Sequence, residues 1–407
     1  MNEVRNIMIG FDFGEKVSQI CYWDRKAGEP VSLPIKAGTG QFTFENCLSK
    51  VPGKEEWNFA PTNEILIDGL YELALNQTEV LVDGETRSVG ELLGIFLKQA
   101  LKILGVPDLV KSISGIMITV PMLSKVMVEN IRLACKMIGF QQNRCFLQSY
   151  EESFFYYALN QRPEICSRNI ALFAFEEDEV TCSKLVTNRR SNPAQVKVEK
   201  GNTVSLSNDN TKRDLEFYNL IIEFLGNDIY SSIFIVGEGF DSEWAVKSIP
   251  VLCRNRRHVF YGNNLYVKGA CYAVREKVEE GRLKSYLYMG SDLVRTNIGM
   301  EMMIGGAKGY YSLISAGTNW YETMGECELL LDDVDYLEFL VSDMEKSTKE
   351  HYRMALENLP KRPPKTTRLH LSVKFEDVNQ CRIEVSDVGF GDLYPSSGLT
   401  WQETIRV

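Results

Sequence analysis

Histidine is nearly missing from this chain: His258, His351 and His370 are the only three, and they stand far apart. None has a neighbour at ligand spacing, which excludes a histidine-built metal centre and a Ser-His-Asp triad. Positive charge is also in deficit. The chain carries 45 Lys and Arg against 55 Asp and Glu, a formal net charge of −10. Neither a nucleic-acid backbone nor an anionic membrane is therefore the expected partner. No apolar run approaches the ~18 residues of a membrane-crossing helix. Met1–Arg5 contains Glu3 and no apolar signal core. The ten cysteines include no Cys-x-x-Cys pair, so buried free thiols in a reducing, cytoplasmic setting are expected.

What is present is ordinary for a folded chain. Of 407 residues, 44% are hydrophobic and 25% charged, which excludes disorder, collagen and a disulfide miniprotein. The length suggests two or three domains.

The pattern opens with a β-hairpin, in which Ile7-Met8-Ile9 runs into Gly10-Phe11-Asp12-Phe13-Gly14 and Ser18–Trp23 returns. Lys26–Asn63, with its Gly and Pro, reads as irregular. Ser88-x-x-Glu91 is a capping box for a helix with Leu93, Phe96, Leu97, Ala100, Leu101 and Leu104 on one face. Ile113–Val120 is a strand, and a helix capped by Ser124 ends at Gly139. After the short strand Cys145–Leu147, Ser149-x-x-Glu152 opens another helix.

A second hairpin follows, Ile170–Phe175 and Val180–Val186 around the turn Glu176-Glu177-Asp178-Glu179. Then come a polar stretch, Asn188–Asn210, a helix from Thr211 to Leu225, a strand Ile233–Val236 ending in Gly237-Glu238-Gly239, and a helix near Tyr266–Glu279. Beyond about residue 285 the texture changes to alternating strands such as Leu369–Phe375 and Cys381–Val385, predicting an all-β sandwich or barrel interrupted by one charged helical patch, Asp343–Leu359. The domains expected are 1–285 and 286–407.

The order of these pieces resembles the seventy-kilodalton heat-shock chaperones, the DnaK class, whose ATP-binding domain belongs to the actin and sugar-kinase superfamily. Ile9–Gly14 with Ser18–Asp24 is similar to that family's first phosphate hairpin, and Ile118-Thr119-Val120-Pro121 to its Ile-Thr-Val-Pro stretch. Ile235–Gly239 and Val267–Ala270 look like the adenosine motif and closing helix, and Leu359–Pro363 with Arg368–Phe375 and Cys381–Ser386 like the end of the peptide-binding sandwich. The resemblance implies an α/β fold: an actin-like two-lobed ATPase-type domain followed by an all-β sandwich domain. It places the nucleotide contacts, if nucleotide binds, at Gly10, Asp12, Gly14, Lys16, Gly237 and Gly239. The chain ends soon after the sandwich pattern, so a helical lid is not expected.

The phosphate chemistry departs from the family. Backbone N–H groups cradle phosphates closely only where no Cβ intervenes. Glu15 and Lys16 replace the paired threonines of the first hairpin. Where the family reads Asp-Leu-Gly-Gly-Gly-Thr, this chain reads Ala174-Phe175-Glu176-Glu177-Asp178-Glu179. A carboxylate ~6 Å from a unit negative charge costs ~3 kcal/mol at an effective dielectric of ~20, and a few such terms erase the ~8 kcal/mol of a micromolar ligand. The family's Asn-Glu-Pro-Thr segment appears as Gln148-Ser149-Tyr150-Glu151, and about 45 residues separate Val186 from Ile233, leaving little room for the subdomain that closes over adenine.

The expectation is a DnaK-like protein that acts as a non-hydrolysing binding, adaptor or chaperone-like module. It has no catalytic or metal-ligating residue and no cofactor, and a peptide or protein client would bind through the sandwich. The alternative is an active ATP-dependent chaperone or actin-like ATPase using ATP with magnesium, with Lys16 rewiring the phosphate site. A sugar or acetate kinase is a third reading, and needs an intact second hairpin.

Overall fold

Ile7–Phe13 (β1) and Val17–Asp24 (β2) pair antiparallel, with Ile9 opposite Tyr22 and Phe13 opposite Ser18. The computed structural model describes residues 6–36, 38–51, 56–58, 65–279, 281–344 and 349–407. Met1–Arg5, and with it the reading of the N-terminus, lies outside the described residues. Glu29–Ser32 (β3) adds antiparallel to β2. On the other side Ile113–Val120 (β4) runs parallel to β1, and Cys145–Ser149 (β5) parallel to β4. The main path of this sheet is β5-β4-β1-β2-β3, with Thr43–Glu45 also on β2. The stretch expected to be irregular therefore contributes strands, also at Leu48–Lys50 and Trp57–Asn58; 37, 52–55 and 59–63 lie outside the described residues.

Leu70–Asn76 (α1), Val89–Leu101 (α2) and Lys125–Ile138 (α3) precede Tyr150–Leu159 (α4). The three serine caps read from sequence form: Ser88, Ser124 and Ser149 accept from the backbone N–H of Glu91, Met127 and Glu152. Gly90 and Gly94 let α2 lie close to Leu133 and Ala134 of α3. Phe11, Phe13, Phe44 and Phe96 form one cluster of ring contacts. Cys135 and Cys145 are joined as a disulfide, against the expectation of free thiols throughout, because a tight turn returns the chain from the end of α3 to the start of β5.

A second sheet repeats the strand order. Asn169–Glu176 (β6) and Glu179–Asn188 (β7) form the second hairpin, Ala194–Ser205 (β8) pairs with β7, Tyr230–Glu238 (β9) runs parallel to β6, and His258–Tyr261 (β10) parallel to β9. The order is β10-β9-β6-β7-β8, extended by Tyr286–Tyr288 (β11) beside β8. The polar stretch after Asn188 thus includes a twelve-residue strand. Asn210–Leu225 (α5) buries Phe217, Ile221 and Leu225 against Phe173, Phe175 and Ile235.

The helices that follow the sheets are exchanged. α4 packs Phe154, Phe155 and Ala158 on the second sheet, while Leu265–Val278 (α7), which follows the short helix Ser248–Leu252 (α6), packs Ala270, Ala273 and Val274 on Met8 and Met117 of the first. The two helices touch where Gly269 faces the Ser153 carbonyl, with room for no Cβ.

The chain divides into two units, Met1–Gly290 and Ser291–Val407. The division falls later than the expected 285/286 because β11 is held by β8. The second unit has two four-stranded antiparallel sheets. One contains Thr296–Ile304 (β12), Ala307–Ile314 (β13), Tyr336–Asp343 (β15) and Lys349–Ala355 (β16), the other Met324–Leu331 (β14), Thr367–Asp377 (β17), Gln380–Asp387 (β18) and Thr400–Arg406 (β19). Alternate residues of β17, including Leu369, Leu371, Val373 and Phe375, are buried. The expected helical patch at Asp343–Leu359 is corrected: its described residues hold the end of β15, the edge strand β16 and a turn, and 345–348 lie outside the described residues. Charges crowd there because an exposed strand edge is protected by them. The whole chain is mixed α/β, richer in strand than in helix.

Candidate functional site

The first hairpin places Asp12 one residue before the end of β1, where neighbouring strands align four polar residues. Gln19, Asp12, Thr119 and Gln148 are successive register partners across β2, β1, β4 and β5. All four are buried. Paired residues on adjacent strands share a face, so this is a polar row on one side of the sheet. Its neighbours come from the exchanged helices. Ser153 of α4 shares a hydrogen bond with Thr119 at 2.7 Å and accepts another from Gln148 Nε2 at 2.5 Å. Gln148 Oε1 is buried with no partner among the described residues. Gln19 Nε2 donates to the Asn263 carbonyl at 2.7 Å, and Asn263 Oδ1 accepts from the backbone N–H of Gly237 at 2.9 Å.

Asp12 is 5% exposed and accepts a hydrogen bond from the Tyr150 hydroxyl at 2.7 Å. Burial pushes its carboxyl up to about 7, against the smaller opposing pull of that hydroxyl. Tyr150 lies flat on Tyr266, ring centroids 3.8 Å apart and planes within 10°. Burial, reinforced by Asp12, raises both phenols. The hydroxyl covers the turn itself: a Cβ on Gly14 would come within 2.8 Å of it. Asn46 straps the same turn, donating from Nδ2 to the Gly14 carbonyl and accepting from Ser18.

The two hairpin turns meet. Lys16 Nζ donates to Glu177 Oε1 at 2.8 Å and lies 4.0 Å from Glu176. Hydrogen bonding between the pair raises the Lys16 ammonium and lowers the Glu177 carboxyl. Both side chains are exposed, so the pair marks geometry more than stability. The second hairpin has no counterpart to Asp12: Ala174 stands in a row with Thr181 and Val236.

The other glycines expected at a nucleotide are spoken for by packing. A Cβ on Gly10 would meet the Val267 carbonyl of α7 at 2.4 Å, so this glycine admits the helix. At Gly237 (φ 90°) a Cβ would lie 1.8 Å from the Phe175 carbonyl oxygen, and at Gly239 (φ 118°) 2.0 Å from that of Glu177. These two glycines hold β9 against the second hairpin. Arg213, 8% exposed, ties the same corner by donating to the carbonyls of Glu177 and Gly239 and lying over the Trp244 ring.

Of the six expected residues, the structure brings Asp12, Gly14 and Lys16 together at the first turn, puts Gly237 and Gly239 behind the second, and sets Gly10 under α7. Sequence reasoning missed Tyr150, Tyr266, Asn46, Asn263 and Arg213. A capping serine immediately before Tyr150 was the one local sign that its side chain starts a helix beside the strand ends. Tyr150 covers the first turn, and Lys16 is bound to the acidic second turn. Among the described residues, no three His, Cys, Asp or Glu side chains gather as metal ligands. No described helix is long and apolar enough to cross a membrane.

Two family descriptions match the chain and meet where it divides. A domain of unknown function (DUF8552) matches residues 293–407. No curated protein matches. The family of unknown function DUF5716, through its C-terminal part, matches residues 29–291, more than half of the chain. The chain belongs to the DUF5716 family.

Proposed function

We propose that this protein is a divergent DnaK-like chain whose first unit is a degenerate, two-lobed actin-type domain, and that it works as a non-hydrolysing binding or adaptor module. The fold reading is supported by two sheets of the same strand order, each opened by a hairpin, with their following helices exchanged. It is supported also by the second unit, whose two four-stranded antiparallel sheets suit a β-sandwich able to take a peptide or protein client. One observation carries the functional reading: Lys16 and Glu177 join the two turns where a phosphate chain would have to lie. A ligand phosphate would have to break that pair and then sit beside Glu176, Glu177 and Asp178. Tyr150 on Asp12 closes the floor beneath.

Calorimetric titration of Mg-ATP into the full chain tests this. No saturable heat is expected, together with no phosphate release above blank and peptide binding that ATP does not alter. Micromolar ATP affinity with hydrolysis abolished by Asp12→Ala would overturn the reading in favour of an active ATPase. Nothing at the site favours that alternative, because Lys16 is already engaged by Glu177.

A further inference from the structure

A different surface, at the far end of the second sheet from its hairpin turn, concentrates positive charge on this acidic chain. Arg168 stands before the start of β6, Arg189 and Arg190 follow the end of β7, and Arg254, Arg256 and Arg257 precede β10. Segments far apart in sequence thus deliver arginine to one end of one sheet. The first three of these, Arg168, Arg189 and Arg190, line a depression of about 590 Å³ together with Ser167, Thr187, Asn188 and Asp228. Arg168, Arg189 and Arg190 are exposed and form no ion pair among the described residues; Arg189 makes only a long contact, 3.4 Å, to the Cys166 carbonyl. The carboxylate in the depression, Asp228, pairs with Lys184 at 3.0 Å; Lys184 is shared with Glu199, which Lys197 pairs in turn. Glu164 lies on the segment leading to Arg168.

We propose that this depression is a binding site for a ligand bearing at least two phosphate charges. Guanidinium forks offer paired N–H groups to oxyanions, and the hydroxyl and amide side chains around them supply further donors. The volume falls within the range of small-molecule sites and exceeds what one ion fills. The site lies apart from the two hairpin turns, so it stands or falls independently of the proposed function.

The test is calorimetry of inorganic pyrophosphate with the full chain at low ionic strength, alongside co-sedimentation with phosphatidylcholine vesicles with and without phosphatidic acid. Saturable pyrophosphate binding is expected, weakened at least about tenfold in Arg189→Gln/Arg190→Gln and less in Arg189→Lys/Arg190→Lys. Lys308→Gln, on the second unit, should leave it unchanged. Binding only to the phosphatidic-acid vesicles, lost in the same glutamine variant, assigns the phosphate to a lipid headgroup. Thermal unfolding of the variants checks that the fold persists, as exposed, unpaired side chains predict. Absence of binding in both arms, or binding that survives the glutamine variant, overturns the proposal.

Discussion

The hydroxyl of Tyr150 donates to the carboxyl of Asp12 at 2.7 Å, across 138 residues of chain. That bond joins the N-terminal residue of α4 to the end of β1 and covers the turn at Gly14 with an aromatic ring instead of leaving bare backbone donors. The neighbouring Lys16–Glu177 contact closes the same region from the opposite sheet.

Asp12 sets a pH dependence. Its carboxyl lies at about 7 when folded against an ordinary 3.8, so between those values the folded chain holds a proton that the unfolded chain has released. Stability must then fall as pH rises through that window, by up to ~1.4 kcal/mol per pH unit from this one group, and flatten above it. Asp12→Asn should remove the slope. Denaturant unfolding from pH 5 to pH 8 measures it; identical slopes in both proteins would refute the assignment.

Tyr150→Phe should move the same midpoint upward, because it removes the one side-chain hydrogen bond that favours the ionised form of Asp12. The shift would be read from the pH–stability curve of the variant, and a downward shift would contradict it.

Gly237→Ala should cost roughly 3 kcal/mol or more, since the new methyl would have to displace the backbone of Phe175 while the residue holds a φ of 90°. Gly28→Ala is the comparison. Gly28 also has positive φ, 71°, but nothing lies within 4 Å, so only the conformational term of about 1 kcal/mol remains. Equal destabilisation by thermal unfolding would show that close approach is not what Gly237 provides.

In the second unit, Arg362 grips Asp387 with two hydrogen bonds of 2.9 and 2.8 Å, and both side chains are almost wholly buried. Burial works against the carboxylate. The Arg362 fork, with donors from Ser397 and Gly389, prevails and holds it well below the usual range. Arg362→Ala strands a buried charge and should cost about 3 kcal/mol. The depressed carboxyl contributes its stability above pH ~4, and that stability is lost as pH falls below this value. An acid-unfolding profile unchanged by Asp387→Asn would argue against it. The pair also pins the loop carrying Phe390, which is 43% exposed.

The Lys16–Glu177 coupling should be measurable by a double-alanine cycle at low salt and vanish near ~1 M salt, where screening acts within ~3 Å. A coupling insensitive to salt would mean that the two turns are held by something else.

Much of the architecture is local and could be read directly. Ser88, Ser124 and Ser149 cap the helices they precede because the orphan N–H groups lie three residues on. Both hairpins follow from apolar runs around short turns. The misread segments are those in which polarity concealed a strand: Ala194–Ser205 and Lys349–Ala355 carry charge on exposed faces, and only their partners β7 and β15 reveal them. The candidate site was half legible. Asp12 and Gly14 announce a constrained turn, whereas nothing near Tyr150 in sequence indicates that its hydroxyl reaches Asp12.

The amino-acid sequence by itself determined where helices start, where hairpins turn and that the second turn is acidic, since propensity, capping and charge act over a few residues. Only the tertiary structure decided what those carboxylates face. Ion pairing, close glycine packing and carboxyl burial arise between segments more than a hundred residues apart at Asp12–Tyr150 and Lys16–Glu177, and no local pattern encodes a distance across the fold.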